Sequence, residues 1–141
     1  MRTPSTPPLV GIVVVSHSAR LAEGVAELAR QMAGPDLALL PVGGAPDGSL
    51  GTDADGIARA IRLADSGAGV LVLGDLGSAI LATEAAIETL DGTTGGRVRI
   101  SPGPIVEGAV VAAVQASTGQ SLDEVLAAAE GARDLDKGVG R

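Results

Sequence analysis

The stretch Leu9-Val10-Gly11-Ile12-Val13-Val14-Val15 runs straight into Ser16-His17-Ser18, and a helical pattern begins at Ala19-Arg20. Aliphatic, mostly β-branched residues of this length predict a buried strand, and the polar triplet a tight turn. A helix is predicted from about Ala19 to Ala33, where Gly34-Pro35 stops it. Its spacing puts Leu21, Val25, Leu28, Ala29 and Met32 on one face, expected to face the core. His17 is the only histidine of the chain and stands at the carboxyl end of the first strand. Ligands of open α/β sheets bind at that edge.

The rest of the chain repeats the alternation. Leu37 to Val42 reads as a second strand, with Pro41 near its end or on a sheet edge because proline cannot donate to a ladder. The loop Gly43 to Gly51 is longer than an ordinary βα connection, which favours a functional loop. Thr52 is expected to cap a second helix, with Asp53 and Asp55 in its first turn and its end near Ser66-Gly67. A third strand, Gly69 to Gly74, breaks at Asp75-Leu76-Gly77-Ser78, and a third helix follows from about Ser78 to Leu90. After a Gly-rich turn, Arg97-Val98-Arg99-Ile100 reads as a short strand at or near an edge, where arginines reach water. Ser101 to Pro104 turns the chain into a helix from Ile105 to Ser117. Ser121-Leu122-Asp123-Glu124 is a capping box that opens a last helix through about Ala132.

Strands alternating with helices give an α/β fold of three layers, α/β/α, around a mainly parallel sheet of order 2-1-3-4. Its 141 residues suit one domain. Residues 1–8 are expected to form a disordered lead, 9–133 the folded unit, and 134–141 a flexible tail or linker.

Composition narrows the function. The chain is 45% hydrophobic without a single Phe, Tyr or Trp, so the core is aliphatic and no base-stacking platform exists. A net charge of −7 opposes binding to nucleic acid and favours a basic protein partner. The absence of cysteine removes thiolate chemistry and disulfides and fits a cytoplasmic protein. Apolar runs are only strand-length, so no membrane span is expected. One histidine and scattered carboxylates make a metal site unexpected.

In the order 2-1-3-4, strands one and three are neighbours, and the crevice between them is the switch point of the sheet. Ser16-His17-Ser18 and Asp75-Leu76-Gly77-Ser78 both fall there. A carboxylate accepting from Nδ1–H would leave Nε2 free as a nucleophile. Helix starts after both loops, with Gly77 allowing close approach and the Ser18 or Ser78 hydroxyl donating, suit an anion. An imidazole facing such a pocket fits phosphoryl transfer through a phosphohistidine. The same residues also fit a plainer reading, in which His17 is a hydrogen-bonded turn residue and Asp75 a helix cap.

The motif Val13-Val14-Val15-Ser16-His17-Ser18-Ala19-Arg20-Leu21-Ala22-Glu23-Gly24-Val25 resembles the IIA domain of the phosphotransferase subunit of phosphoenolpyruvate-dependent dihydroxyacetone kinase. That domain is a relative of the mannose-type IIA domains of sugar phosphotransferase systems. Glu27 to Met32, Gly51 to Ala54, Asp75 to Ala79, Thr83 to Ala86 and Pro104 to Gly108 extend the resemblance over roughly Leu9 to Ala132. It implies that His17 is phosphorylated by a small histidine carrier protein and that Asp75 orients its ring. The phosphoryl group would pass to ADP in the nucleotide-binding subunit of the kinase. The resemblance further implies a homodimer without a cofactor in this subunit. Ser18, Thr52, Gly77 and Ser78 are the inferred phosphate-pocket residues.

Three rivals stand beside it. A mannose-type IIA domain serving a sugar permease would use the same His17. A tetrapyrrole metal chelatase has a similar turn, but the second histidine it needs is missing. A receiver-like regulatory module would be phosphorylated on Asp75, yet Ser16-His17 stands where it needs an acidic pair.

Overall fold

The computed structural model describes residues 7–140, so most of the predicted disordered lead at 1–8 lies outside the described residues. Four parallel strands form one sheet: β1 (Gly11–Ser16), β2 (Leu39–Gly43), β3 (Val70–Gly74) and β4 (Val98–Ser101), in the order β2-β1-β3-β4. All six residues of β1 are buried, as a central strand with two covered faces requires. Full burial of each Val or Ile side chain here contributes about 1.5–3 kcal/mol, which makes β1 the strand the sheet is built around. Pro41 pairs with Val14 on the edge strand β2, and β4 forms the opposite edge.

Helices cover both faces. Alternate strand residues divide the core into two clusters. Val10, Ile12, Val14, Leu71 and Leu73 pack under α1 (Ala19–Met32), α5 (Ile105–Ser117) and α6 (Leu122–Gly131). Val13, Val15, Val70 and Val72 pack under α2 (Ala54–Ala64) and α3 (Gly77–Glu88). A single-turn helix, α4 (Gly92–Gly95), stands in the turn before β4, capped by Asp91. The three-layer α/β/α fold is as the sequence predicts. No helix among the described residues is long and apolar enough to cross a membrane.

The structure corrects four local expectations. The buried face of α1 is Ala22, Val25, Ala26 and Ala29, whereas Leu21, Leu28 and Met32 are exposed. Alanines let α1 approach the sheet and α5 closely, so the smaller stripe takes the core. The cap of α2 is Asp53 rather than Thr52, and its side chain makes no capping bond. Helix α3 opens one residue early, at Gly77, behind Leu76. Arg97 turns to Asp65 in an ion pair of 2.6 Å instead of reaching fully into water.

The capping box is as predicted: Ser121 Oγ accepts from Glu124 N–H, and Glu124 accepts from Ser121 N–H. Past α6, a 3-10 turn at Ala132–Asp134 leads to Lys137, whose Nζ lies 2.7 Å from Glu107 in the first turn of α5.

Candidate active site

Pairing of β1 with β3 sets the two polar strand ends side by side, with Val15 opposite Gly74. The chain leaves β1 through Ser16-His17-Ser18 into α1 on one face, and leaves β3 through Asp75-Leu76 into α3 on the other. His17 and Asp75 therefore meet in the crevice between helices of opposite layers.

Their contact is direct: His17 Nδ1 lies 2.9 Å from Asp75 Oδ1. The carboxylate is fully engaged. Oδ2 accepts from the Ser16 hydroxyl at 2.8 Å and from the His17 backbone N–H at 3.0 Å. Oδ1 also accepts from the Leu76 N–H at 2.8 Å. Burial raises the Asp75 pKa, but the bonds from His17, Ser16 and Leu76 outweigh it and hold the carboxyl below the usual range. An ionised carboxylate can only accept, so Nδ1 must carry a proton, and in the neutral ring the lone pair is then on Nε2. Nε2 meets the Ser78 hydroxyl, which in the neutral ring donates to that lone pair. With four donors on its oxygens, Asp75 keeps no free lone pair to attack a phosphoryl group, which counts against the receiver-like reading.

The predicted pocket residues lie at different places around this pair. Ser18 caps α1, its Oγ accepting from the Leu21 N–H at 3.2 Å. Gly77 and Ser78 are the first two residues of α3, whose amides lack intrahelical acceptors. A Cβ on Gly77 would meet nothing within 4 Å, so the approach there is open. A cavity of about 430 Å³ adjoins this turn, between Gly74 to Gly77 and the loop Ser101 to Pro104. Beside Thr52, the preceding residue, Gly51, donates its N–H to the His17 carbonyl at 3.0 Å. Among the described residues no hydrogen bond joins Thr52 to His17 or Asp75. The described residues also contain no cluster of three His, Asp or Glu side chains placed to hold a metal.

Two residues of the site escape sequence reasoning. Ser16 is fully buried and reaches Asp75 across the sheet. Gly43, at the end of β2, lies so close to the turn that a Cβ would stand 2.5 Å from Ser18 O and 2.6 Å from Ala19 Cα. The sequence placed Gly43 at the head of the long loop Gly43 to Gly51 but gave no sign of its contact with the start of α1.

A doubly wound α/β domain with one oriented imidazole at its switch point is the class that fold and site define. The EIIA-man family profile, described as the PTS system fructose IIA component, matches residues 11–126. The chain belongs to this family of phosphotransferase-system components. It is 40% identical over 121 residues to the phosphoryl donor subunit DhaM of PEP-dependent dihydroxyacetone kinase from Escherichia coli K12. That match takes in 84% of this chain but only 26% of the relative, so the chain spans about a quarter of that protein's length. It is 38% identical to a subunit of the same description, from kinase 2 of Listeria innocua, covering 84% of this chain and 94% of that one. A crystal structure of a protein of unknown function, 35% identical, superposes with a TM-score of 0.79 over 87% of this chain and 94% of the other.

Proposed function

We propose that residues 9–133 form a phosphohistidine relay unit of a dihydroxyacetone kinase system, with His17 as the phosphorylated residue. The observation that carries this is the bond between His17 Nδ1 and Asp75 Oδ1, which leaves Nε2 as the nucleophilic nitrogen.

The lone pair of Nε2 attacks the phosphorus of a donor phosphohistidine. The donor P–N bond breaks, and its electron pair returns to the donor ring. His17 is then substituted on both nitrogens and carries positive charge, which the Asp75 carboxylate beside Nδ1–H stabilises. The Ser78 hydroxyl, released from Nε2, donates to the new phosphoryl group, together with the first amides of α3. In the second step an oxygen of the ADP β-phosphate attacks. The Nε2–P bond breaks and neutral imidazole leaves, still protonated at Nδ1. Positioning and charge stabilisation suffice, because a phosphorylated imidazole is already a reactive donor.

The donor in this reading is a histidine carrier protein, and the acceptor is ADP held in a separate nucleotide-binding subunit of the kinase. The names of the relatives, phosphoryl donor subunits of dihydroxyacetone kinase, support the kinase as acceptor; the histidine carrier, a homodimeric state and a cytoplasmic location rest on the family resemblance. Ser18, Gly77 and Ser78 line the phosphoryl site, and Thr52 borders it.

Intact-mass analysis after incubation with phosphoenolpyruvate, enzyme I and the histidine carrier protein tests the reading. Wild type gains one phosphate, and His17→Ala folds but gains none. A chase with the nucleotide-binding subunit and ADP discharges it. A gain that this chase leaves in place would point to a sugar permease, and no gain would return His17 to a hydrogen-bonded turn residue.

A further inference from the structure

Three hydroxyl residues are buried among the described residues: Ser16, Thr83 and Ser101. Two of them serve their own turns. Thr83 donates to Ala79 O and Ser101 accepts from Gly103 N–H. Ser16 instead joins elements 59 residues apart, its Oγ lying 2.8 Å from Asp75 Oδ2. The same oxygen accepts the Ser18 N–H at 3.0 Å. Hydroxyl proton and lone pair are thus both committed, one to the carboxylate and one to the turn that carries His17. At the end of an aliphatic strand a buried hydroxyl is a cost unless its bond is made, and alanine would serve the packing alone.

We propose that Ser16 is a positioning residue of the transfer: its hydroxyl locks the Asp75 carboxylate so that Oδ1 stays on Nδ1–H and Nε2 remains the nucleophile. The torsion that turns a carboxylate is soft and roughly two-fold. Without Ser16, Oδ2 keeps only the His17 backbone N–H, so the carboxylate is held by three bonds in place of four and its plane turns more readily. Rotation takes Oδ1 off Nδ1, and the ring gains access to the tautomer protonated at Nε2. That tautomer has no lone pair where the phosphorus must approach.

This inference rests on the relay reading of His17, and its test separates the two. Ser16→Ala and Ser16→Thr are compared with wild type in single-turnover phosphorylation by the phospho-carrier protein. Because His17 is the only histidine, the nitrogen-15 spectrum of the imidazole reports its tautomer without overlap. Ser16→Ala is expected to lower the saturating rate about tenfold, with half-saturation unchanged within about twofold. The ring spectrum should show the Nε2–H form gaining population. Ser16→Thr, which keeps the hydroxyl, should restore both rate and spectrum. A wild-type rate and tautomer in Ser16→Ala would overturn the proposal. So would a slower variant with lower thermal stability but an unchanged tautomer, since Ser16 would then only support the fold. If wild type itself takes no phosphate, the relay reading fails, while the spectra still decide whether Ser16 sets the tautomer.

Discussion

Asp75→Asn is nearly isosteric and changes one acceptor oxygen into an amide donor. Asp75 receives two donors on each oxygen, so neither orientation of the amide fits. With the amide nitrogen in place of Oδ2, it faces the His17 backbone N–H, which cannot turn away. With the nitrogen in place of Oδ1, it faces the Leu76 N–H and drives the ring to accept at Nδ1. The proton then sits on Nε2, and the nucleophile is lost. A hydrogen bond to a charged group contributes about 1.5–3 kcal/mol, and here one such bond turns into a clash of donors as well. A loss of about 3–4 kcal/mol in the transition state corresponds to about 10²–10³ in rate. Enforcing the wrong tautomer by the same exchange in a serine-protease triad costs about 10⁴, which sets the upper bound. Quench-flow transfer from labelled phospho-carrier protein, at saturating donor, measures the ratio. A variant within about threefold of wild type would refute the argument that Asp75 dictates the tautomer.

Four further outcomes follow from the structure. Ser78→Ala should slow transfer about tenfold by removing a donor to the phosphoryl group, although it frees Nε2 beforehand; single-turnover rates check the sign. Gly43→Ala forces a Cβ against the backbone at Ser18 and Ala19 and should cost at least about 2 kcal/mol, a fall in Tm of about 6 °C, with slower phosphorylation. Gly24→Ala is the control: its Cβ meets nothing within 4 Å on α1, and it should stabilise by about 0.5–1 kcal/mol. Acid should weaken the fold through carboxyls whose pKa is depressed in the native state. Burial raises Asp65, but Arg97 outweighs it, and Asp75 is lowered likewise. Their stabilisation is complete above the unfolded aspartate value of about 3.9 and is lost as pH falls through the lower native values. Denaturant midpoints should be flat from about pH 7 to 5 and drop below about 4, with a shallower drop in Asp65→Asn.

The strands were legible because Val, Ile and Leu crowd into runs of strand length with turn residues after each. The meeting of His17 with Asp75 was legible through topology, since order 2-1-3-4 makes β1 and β3 neighbours. The buried face of α1 was legible only in part. Val25 and Ala29 were placed correctly, but Leu21, Leu28 and Met32 were chosen with them in place of Ala22 and Ala26, which fit the same three-and-four spacing. Periodicity identifies a helix but does not choose between stripes offset by a single position. Hydropathy favours the leucines, and only close packing on α5 and the sheet selects the alanines. Ser16 and Gly43 were hidden for a different reason. Each owes its role to a neighbour distant in sequence, Asp75 for one and the start of α1 for the other. Thr52 was misplaced by one residue because Thr and Asp are both good caps and both stand there.

The members of the His17–Asp75 pair hang from opposite slabs of the molecule. The imidazole precedes α1, which packs with α5 and α6 on one face of the sheet. The carboxylate precedes α3, which packs with α2 on the other. What joins them is the sheet itself, through the pairing of β1 with β3. The 2.9 Å bond is therefore a gauge of strand register: a slip of one residue between β1 and β3 would carry Asp75 past His17 and leave Nδ1 without its partner.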